Sequence, residues 1–213
     1  MDRSSAVGTS PDREASARVG DASPLPLPAA AVAVARCAAR TAVLLGRRRV
    51  HLPRGNLGLR LRFGDGSTGR VYRETVVDDP PLTSRCVLVV SFRLRGVRGR
   101  GHRAFEVESV LNTPLFVGFP GFVSKLWVAA DEHGVYRGLY DWDDPGLADA
   151  YARALWWVLA LVSHRSSIHH HVLPGTSREE LLAAVPATDL SAPHQFSGPG
   201  AGPGEWWRVT GTR

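Results

Sequence analysis

The chain has 213 residues, 44% of them hydrophobic, and carries a formal net charge of +6 with a sequence pI near 10.1. That apolar content is ample for a buried core and excludes a wholly disordered chain, while two cysteines exclude a disulfide framework. The basic balance makes phosphate-rich partners a class to consider, yet no helix-turn-helix, zinc finger or RNA-binding aromatic signature accompanies it, so nucleic-acid binding ranks only third among the readings of function.

Residues 1–28 are rich in Ser, Ala, Gly, Asp and Pro, with Pro24, Pro26 and Pro28 closing the stretch. Such a composition buries too little apolar surface to offset chain ordering and predicts a disordered tail. Residues 29–46 read as a helix in which Arg36 and Arg40 interrupt the apolar run and Arg47, Arg48 and Arg49 follow it. No secretory signal or membrane span is expected from it, and Cys37 and Cys86 suit a reducing cytoplasm. Next, Leu57, Leu59, Leu61 and Phe63 alternate with Gly58, Arg60 and Arg62, and a turn at Gly64, Asp65, Gly66 and Ser67 leads into a second strand over 69–75. Strict alternation predicts a half-buried hairpin that either extends the main sheet or covers a helix. It completes an N-terminal extension, residues 29–80.

Residues 81–185 form the predicted domain. A strand over 86–95 is apolar on both faces at Val87, Leu88, Val89 and Val90. A helix over 101–112 places Ala104, Val107 and Leu111 at helical spacing, and Pro114 marks its end. A hairpin follows. Asp143, Asp144 and Pro145 then supply a carboxylate cap and a first-turn proline for a helix to about 162, with Leu147, Tyr151, Ala154, Val158 and Leu161 in one stripe. Trp156 falls off that stripe, where a terminal extension or a partner is expected to cover it, the alternative being an exposed tryptophan that stacks a ligand. A last strand spans 166–173. The order strand, helix, strand, strand, helix, strand predicts an α+β fold, a ferredoxin-like split βαβ half-barrel. Two helices cover only one of its two apolar faces, so a sheet-to-sheet homodimer is expected. Residues 186–213, with a Gly/Pro run over 198–204, read as a flexible tail except where Trp206 and Trp207 dock.

Strand parity on the hairpin sets Val123, Lys125, Trp127, Tyr136, Gly138, Tyr140 and Trp142 on one face and Phe122, Ser124, Leu126, Val128, Leu139 and Asp141 on the other. The first face has large rings around a glycine. Either a flat molecule lies in the gap beside Gly138, or the rings fill a core; a wholly structural face would not need Lys125. On the last strand, consecutive residues His169, His170 and His171 alternate faces, so at most two converge, and no metal site is expected. His169 is either a proton acceptor or a hydrogen-bonded strand histidine. The arginine-rich loop 93–103 is by default solvated; its glycines, leading into a helix, alternatively present N–H groups to an anion.

The segments Gly121-Phe-Val-Ser-Lys-Leu-Trp127 and Val135-Tyr-Arg-Gly-Leu-Tyr-Asp-Trp142, flanking Asp131-Glu-His-Gly134, resemble the dimeric α+β barrel superfamily that contains the antibiotic-biosynthesis monooxygenases. The resemblance implies an oxygenase acting on a planar aromatic or polyketide-type molecule of secondary metabolism, in which the deprotonated substrate itself gives an electron to O2. No cofactor is then required; reduced flavin serves some members, and haem ranks below it. Trp127, Tyr136, Tyr140 and Trp142 would bind the substrate, His169 would take its proton, and Asn112 with Lys125 would donate to the developing anion. The alternative is a non-catalytic dimeric module that binds a small molecule or serves a stress response.

Overall fold

The structure is a computed structural model and describes residues 23–78, 84–97, 99–185, 187 and 205–213. The predicted tail over 1–22, the boundary near residue 80 and the Gly/Pro run at 198–204 lie outside the described residues.

The fold is α+β, with one antiparallel sheet curled into a half-barrel and helices laid against it. In chain order it comprises α1 (Leu27–Gly46), β1 (Val50–His51), β2 (Arg60–Phe63), β3 (Thr68–Val77), β4 (Cys86–Arg93), α2 (Arg100–Glu108), a 3-10 segment (Ser109–Leu115), β5 (Phe122–Val128), β6 (Val135–Trp142), α3 (Pro145–Val162), β7 (His169–Pro174), α4 (Arg178–Ala183) and β8 (Val209–Thr212). Strand order is β7-β4-β6-β5-β3-β2-β8, with β1 on the far end of β3. The N-terminal hairpin therefore extends the main sheet, because β3 pairs with β5.

One sheet face carries Leu88, Val90, Trp127, Tyr140 and Trp142 beneath α1, α3 and the 3-10 segment. The other carries Val87, Val89, Leu126, Val128 and Leu139, closed over by Leu61, Phe63 and Val209 and by Leu181, Trp206 and Trp207. The apolar face on which the expected sheet-to-sheet dimer rests is thus covered within the chain. Part of the sequence-predicted tail does this: residues 205–213 end in β8, paired with β2, and each tryptophan offers roughly 150–250 Å² to bury.

Local chemistry fixes the helices. Asp144 caps α3 by accepting from the Leu147 N–H at 2.9 Å, and Pro145 occupies the first turn, as its sequence predicts. The buried face of α3 is Ala148, Tyr151, Ala154 and Leu155, while Leu161 of the predicted stripe is 78% exposed. On α2 and the 3-10 segment the predicted stripe is turned outward: Val107 and Leu111 are each 76% exposed. Phe105 turns in instead, against Phe92 and Tyr136 at 6.3 and 4.8 Å between ring centroids. The α-helix ends at Glu108, where Ser109 Oγ donates to the Glu106 carbonyl at 2.6 Å, and three residues per turn beyond it shift the phase that the 3.6 period assumes.

Of residues 23–28, counted in the predicted tail, Ser23 and Leu25 lie on α3 while Leu27 and Pro28 open α1. The Arg153 side chain donates to the Ser23 carbonyl at 3.0 Å, and the Trp157 indole N–H donates to the Leu25 carbonyl at 2.7 Å. This is the terminal cover that an off-stripe tryptophan calls for, and it falls on Trp157. Trp156 packs edge-on against it at 5.2 Å. By length and composition α1 is apolar enough to cross a membrane; here it packs on α3 and the 3-10 segment through Ala30, Cys37, Thr41 and Leu44. Gly118 sets how closely it comes, since a Cβ there would lie 2.0 Å from the Cys37 carbonyl oxygen and 2.8 Å from the Thr41 nitrogen. Both are backbone atoms that cannot swing aside. Gly118→Ala is therefore expected to cost the upper end of the roughly 1–3 kcal/mol typical of overpacking, about 5–10 °C in melting temperature for a chain of this size. A melt within about 2 °C of the parent contradicts the close approach.

Candidate functional site

The β5–β6 hairpin is closed by a turn in which the Gly134 N–H donates to the Asp131 carbonyl at 3.0 Å, Gly134 taking φ 76°. Its register places Lys125 opposite Tyr140 and Trp127 opposite Gly138, so the face predicted to hold Lys125, Trp127, Tyr136, Gly138, Tyr140 and Trp142 is the face beneath the helices. Phe122 is a correction. A bulge between Phe122 and Ser124 lets Phe122 pair with Trp142, and its ring joins the aromatic face, 5.8 Å from Trp142.

Between this face, α3 and the α2/3-10 segment lies a cavity of about 570 Å³, within the size range of small-molecule sites. Its walls are mostly apolar: Val90, Phe92, Phe105, Leu115, Phe116, Trp127, Tyr140, Leu155 and Val158 among others, with Arg95, Glu108, Asn112 and Lys125 as the charged or amide groups. Leu111, Leu161 and Val162, also lining it, are exposed and leave an apolar rim.

Lys125 is the centre of this site. It is the only lysine in the chain, all other basic residues being arginine, and it is 5% exposed. Its Nζ lies 3.1 Å from the Trp127 ring centroid, 4.6 Å from that of Tyr140 and 4.8 Å from that of Phe116. The stem crosses Gly138, where a Cβ would stand 3.1 Å from Lys125 Cε and 2.7 Å from the Tyr140 ring. The gap beside Gly138 that the sequence offers to a ligand is therefore filled by Lys125 and Tyr140, and the open space lies above them. Burial first, and the Arg73 guanidinium second, push the lysine well below its ordinary pKa. No carboxylate among the described residues pairs with it. Both effects favour the neutral amine over the ammonium.

The groups around the amine explain that. Arg73 stacks on Trp127 at 3.9 Å; its guanidinium nitrogens have no hydrogen-bond partner among the described residues, and burial brings its pKa down to about 10. It stays charged at neutral pH and repels a proton on Lys125. Trp127 is fixed by its indole N–H, which donates to Thr75 Oγ1 at 3.2 Å. The Tyr151 hydroxyl donates to the Tyr140 hydroxyl at 3.1 Å, and burial raises the pKa of both phenols, keeping them protonated.

The structure brings Lys125, Asn112, Trp127 and Tyr140 together at the cavity and leaves three predicted residues elsewhere. Tyr136 is buried behind the wall, stacked on Phe92 at 5.7 Å with its hydroxyl 2.7 Å from His102 Nδ1. Trp142 is fully buried between Phe122 and Tyr151. His169 is on the opposite face of the sheet, exposed and 5.9 Å from Trp206. The reason is register: His169 pairs with Ser91 and His171 with Val89, so both share the face of Val87 and Val89, whereas the cavity belongs to the face of Val90. His170, on the cavity side of β7, bonds Asp149 of α3 at 3.2 Å. Nor does the arginine-rich loop cradle an anion through Arg95, which donates to the Ala160 and Leu161 carbonyls at the end of α3. Residues the sequence reading passed over are Arg73, Tyr151 and the cavity-lining Phe105. Lys125 as the sole lysine was the available signal for the first, since a lone buried amine calls for whatever keeps it neutral. Comparison of the chain with protein-family models, curated proteins and solved structures gives no match in any of the three.

Proposed function

We propose that the chain is an oxygenase of the monooxygenase type, acting on a flat, apolar, acidic aromatic bound in the cavity, with Lys125 as proton acceptor in place of His169. The observation that carries this reading is a buried lysine amine, its pKa lowered by burial, that lines an apolar space of about 570 Å³. An amine whose free form is favoured by burial can accept the proton of a phenol or of an activated CH2. The resulting anion then faces the Lys125 ammonium and the Asn112 side chain in a low-dielectric site, where such contacts count most. Transfer of an electron from that anion to O2 and recombination gives a peroxide; loss of water leaves one oxygen in the product as a carbonyl and the other in the water. No cofactor is required by this sequence of events, and reduced flavin is the alternative reductant. The strand order β7-β4-β6-β5, with helical crossovers from β4 to β5 and from β6 to β7, supports the ferredoxin-like reading of the central unit. A cytoplasmic setting, which suits the two free buried cysteines, is part of the same proposal.

Oxygen consumption with an anthrone-type tricyclic phenol tests it. The parent is expected to consume one O2 per carbonyl formed, and His169→Ala to retain that rate within about twofold. A fall of 10²-fold or so in a folded His169→Ala protein, the usual scale for a lost general base, returns the role to the histidine. Binding of the phenol without oxygen uptake, with and without reduced flavin, supports the non-catalytic module instead.

A further inference from the structure

We propose that Lys125 is a nucleophile, and that the cavity captures an aldehyde or ketone carried on a flat apolar frame as a covalent imine. The inference rests on the reading of the cavity as a ligand site and adds a second activity to it. A lysine attacks carbonyls only as a free amine, and proteins supply one by desolvation or by a neighbouring cation. Both conditions meet here: Nζ is enclosed by the Trp127, Phe116 and Tyr140 rings, and Arg73 lies over Trp127 with no carboxylate partner among the described residues.

The groups around the amine fit the steps that follow. The Nζ lone pair adds to the carbonyl carbon, forming the C–N bond, and one Nζ proton passes to the oxygen to give a carbinolamine. The C–O bond then breaks, the oxygen leaves as water with the second proton, and C=N remains; one water is lost and no electrons are exchanged. An acid must serve the oxygen in both steps. Tyr140 is placed for it, since it lines the cavity beside Nζ and accepts from Tyr151, which leaves its own proton for a ligand oxygen. Further ionisable groups near the cavity are Tyr72 beside Arg73 on β3, Glu108 on α2 and Arg95 before it.

That Lys125 is the only lysine makes the test direct, because the chain then holds just two kinds of primary amine, Lys125 and the N-terminus. Full-length protein at pH 7 is incubated with 2-naphthaldehyde and sodium cyanoborohydride, whose hydride reduces the imine to a stable secondary amine. The expected result is one naphthylmethyl group per chain, mapped by peptide mass to Lys125 and added about tenfold faster than to the α-amine, most of which is protonated at that pH. Lys125→Met should be labelled at the N-terminus alone, and urea-unfolded parent should lose the preference for Lys125. Labelling confined to the N-terminus of the folded parent overturns the inference, as does equal labelling of Lys125 in folded and unfolded protein. Oxygen uptake by that same unlabelled parent would leave the base role standing, so the two readings fail separately.

Discussion

Lys125→Met is expected to abolish oxygen-dependent turnover and, at neutral pH, to raise the melting temperature. The two effects have one cause. The amine buried against Trp127 is the base in the proposed reaction, and the burial that lowers its pKa also weakens the native state. The native pKa lies well below the ordinary lysine value, so between the two the unfolded chain binds a proton that the native chain does not. Stability of the parent then climbs with pH, at up to about 1.4 kcal/mol per unit for a single proton, and levels off above about pH 10.5. Methionine has nearly the same volume and no proton. Its advantage is therefore largest toward the low end of that window and shrinks as pH approaches about 10.5, while Arg73 and the phenols titrate in both proteins and largely cancel in the difference. At pH 7 the gain should be of the order of 1–4 kcal/mol, as for other buried ionic groups replaced by apolar ones, or several degrees in melting temperature. A variant that melts lower than the parent at every pH and still consumes oxygen would show that the amine only fills space.

The residues that carry this prediction were legible in the sequence to the extent that they depend on strand alternation. Lys125, Trp127, Gly138, Tyr140 and Trp142 fall on one face because their cross-strand parity survives the turn at residues 131–134. Alternation fails where one residue is inserted, which is how the bulge before Ser124 carries Phe122 to the other side. It also says nothing about strands far apart in sequence. That β7 lies beside β4 follows from the split βαβ order, but whether His169 or His170 points at the cavity depends on a one-residue choice of register. Helical periodicity failed similarly on α2, where Ala104, Val107 and Leu111 have the right spacing and point outward, because the bulkier Phe105 has more surface to bury and the helix changes type at Ser109. The docking of Trp206 and Trp207 is set by long-range contacts that composition does not encode. A second signal, the use of a single lysine beside so many arginines, points at Lys125 without any structure.

Those tryptophans set the second large effect. Trp207 stacks on the His171 ring at 4.0 Å and 11° between planes, and the Trp206 carbonyl accepts from Arg137 Nε at 3.3 Å. Arg137 is itself held by Asp131 and Asp65, each at 2.6 Å, and lies over Phe63 at 4.3 Å. Residues 205–213 are thus pinned by a buried ion-pair network as well as by β8, and they close the face formed by Leu126, Val128 and Leu139. Replacing both tryptophans with alanine is expected to cost about 3–5 kcal/mol, the full range for one buried tryptophan, since each keeps some exposure and the pair is coupled through its shared support. The melting temperature should fall by roughly 6–20 °C. The uncovered apolar face should then associate, so the apparent mass in light scattering should rise above that of the parent. His171 adds a pH arm. Burial, then the nearby His170, lowers its pKa, so the unfolded chain takes up a proton first as pH falls through about 6.5, and stability is lost in that window. Without Trp207 the ring is hydrated and the dependence should flatten. Unchanged melting and mass in the double variant would mean that the sheet face needs no cover from this segment, and a sheet-to-sheet pairing of two chains would again have the surface it requires.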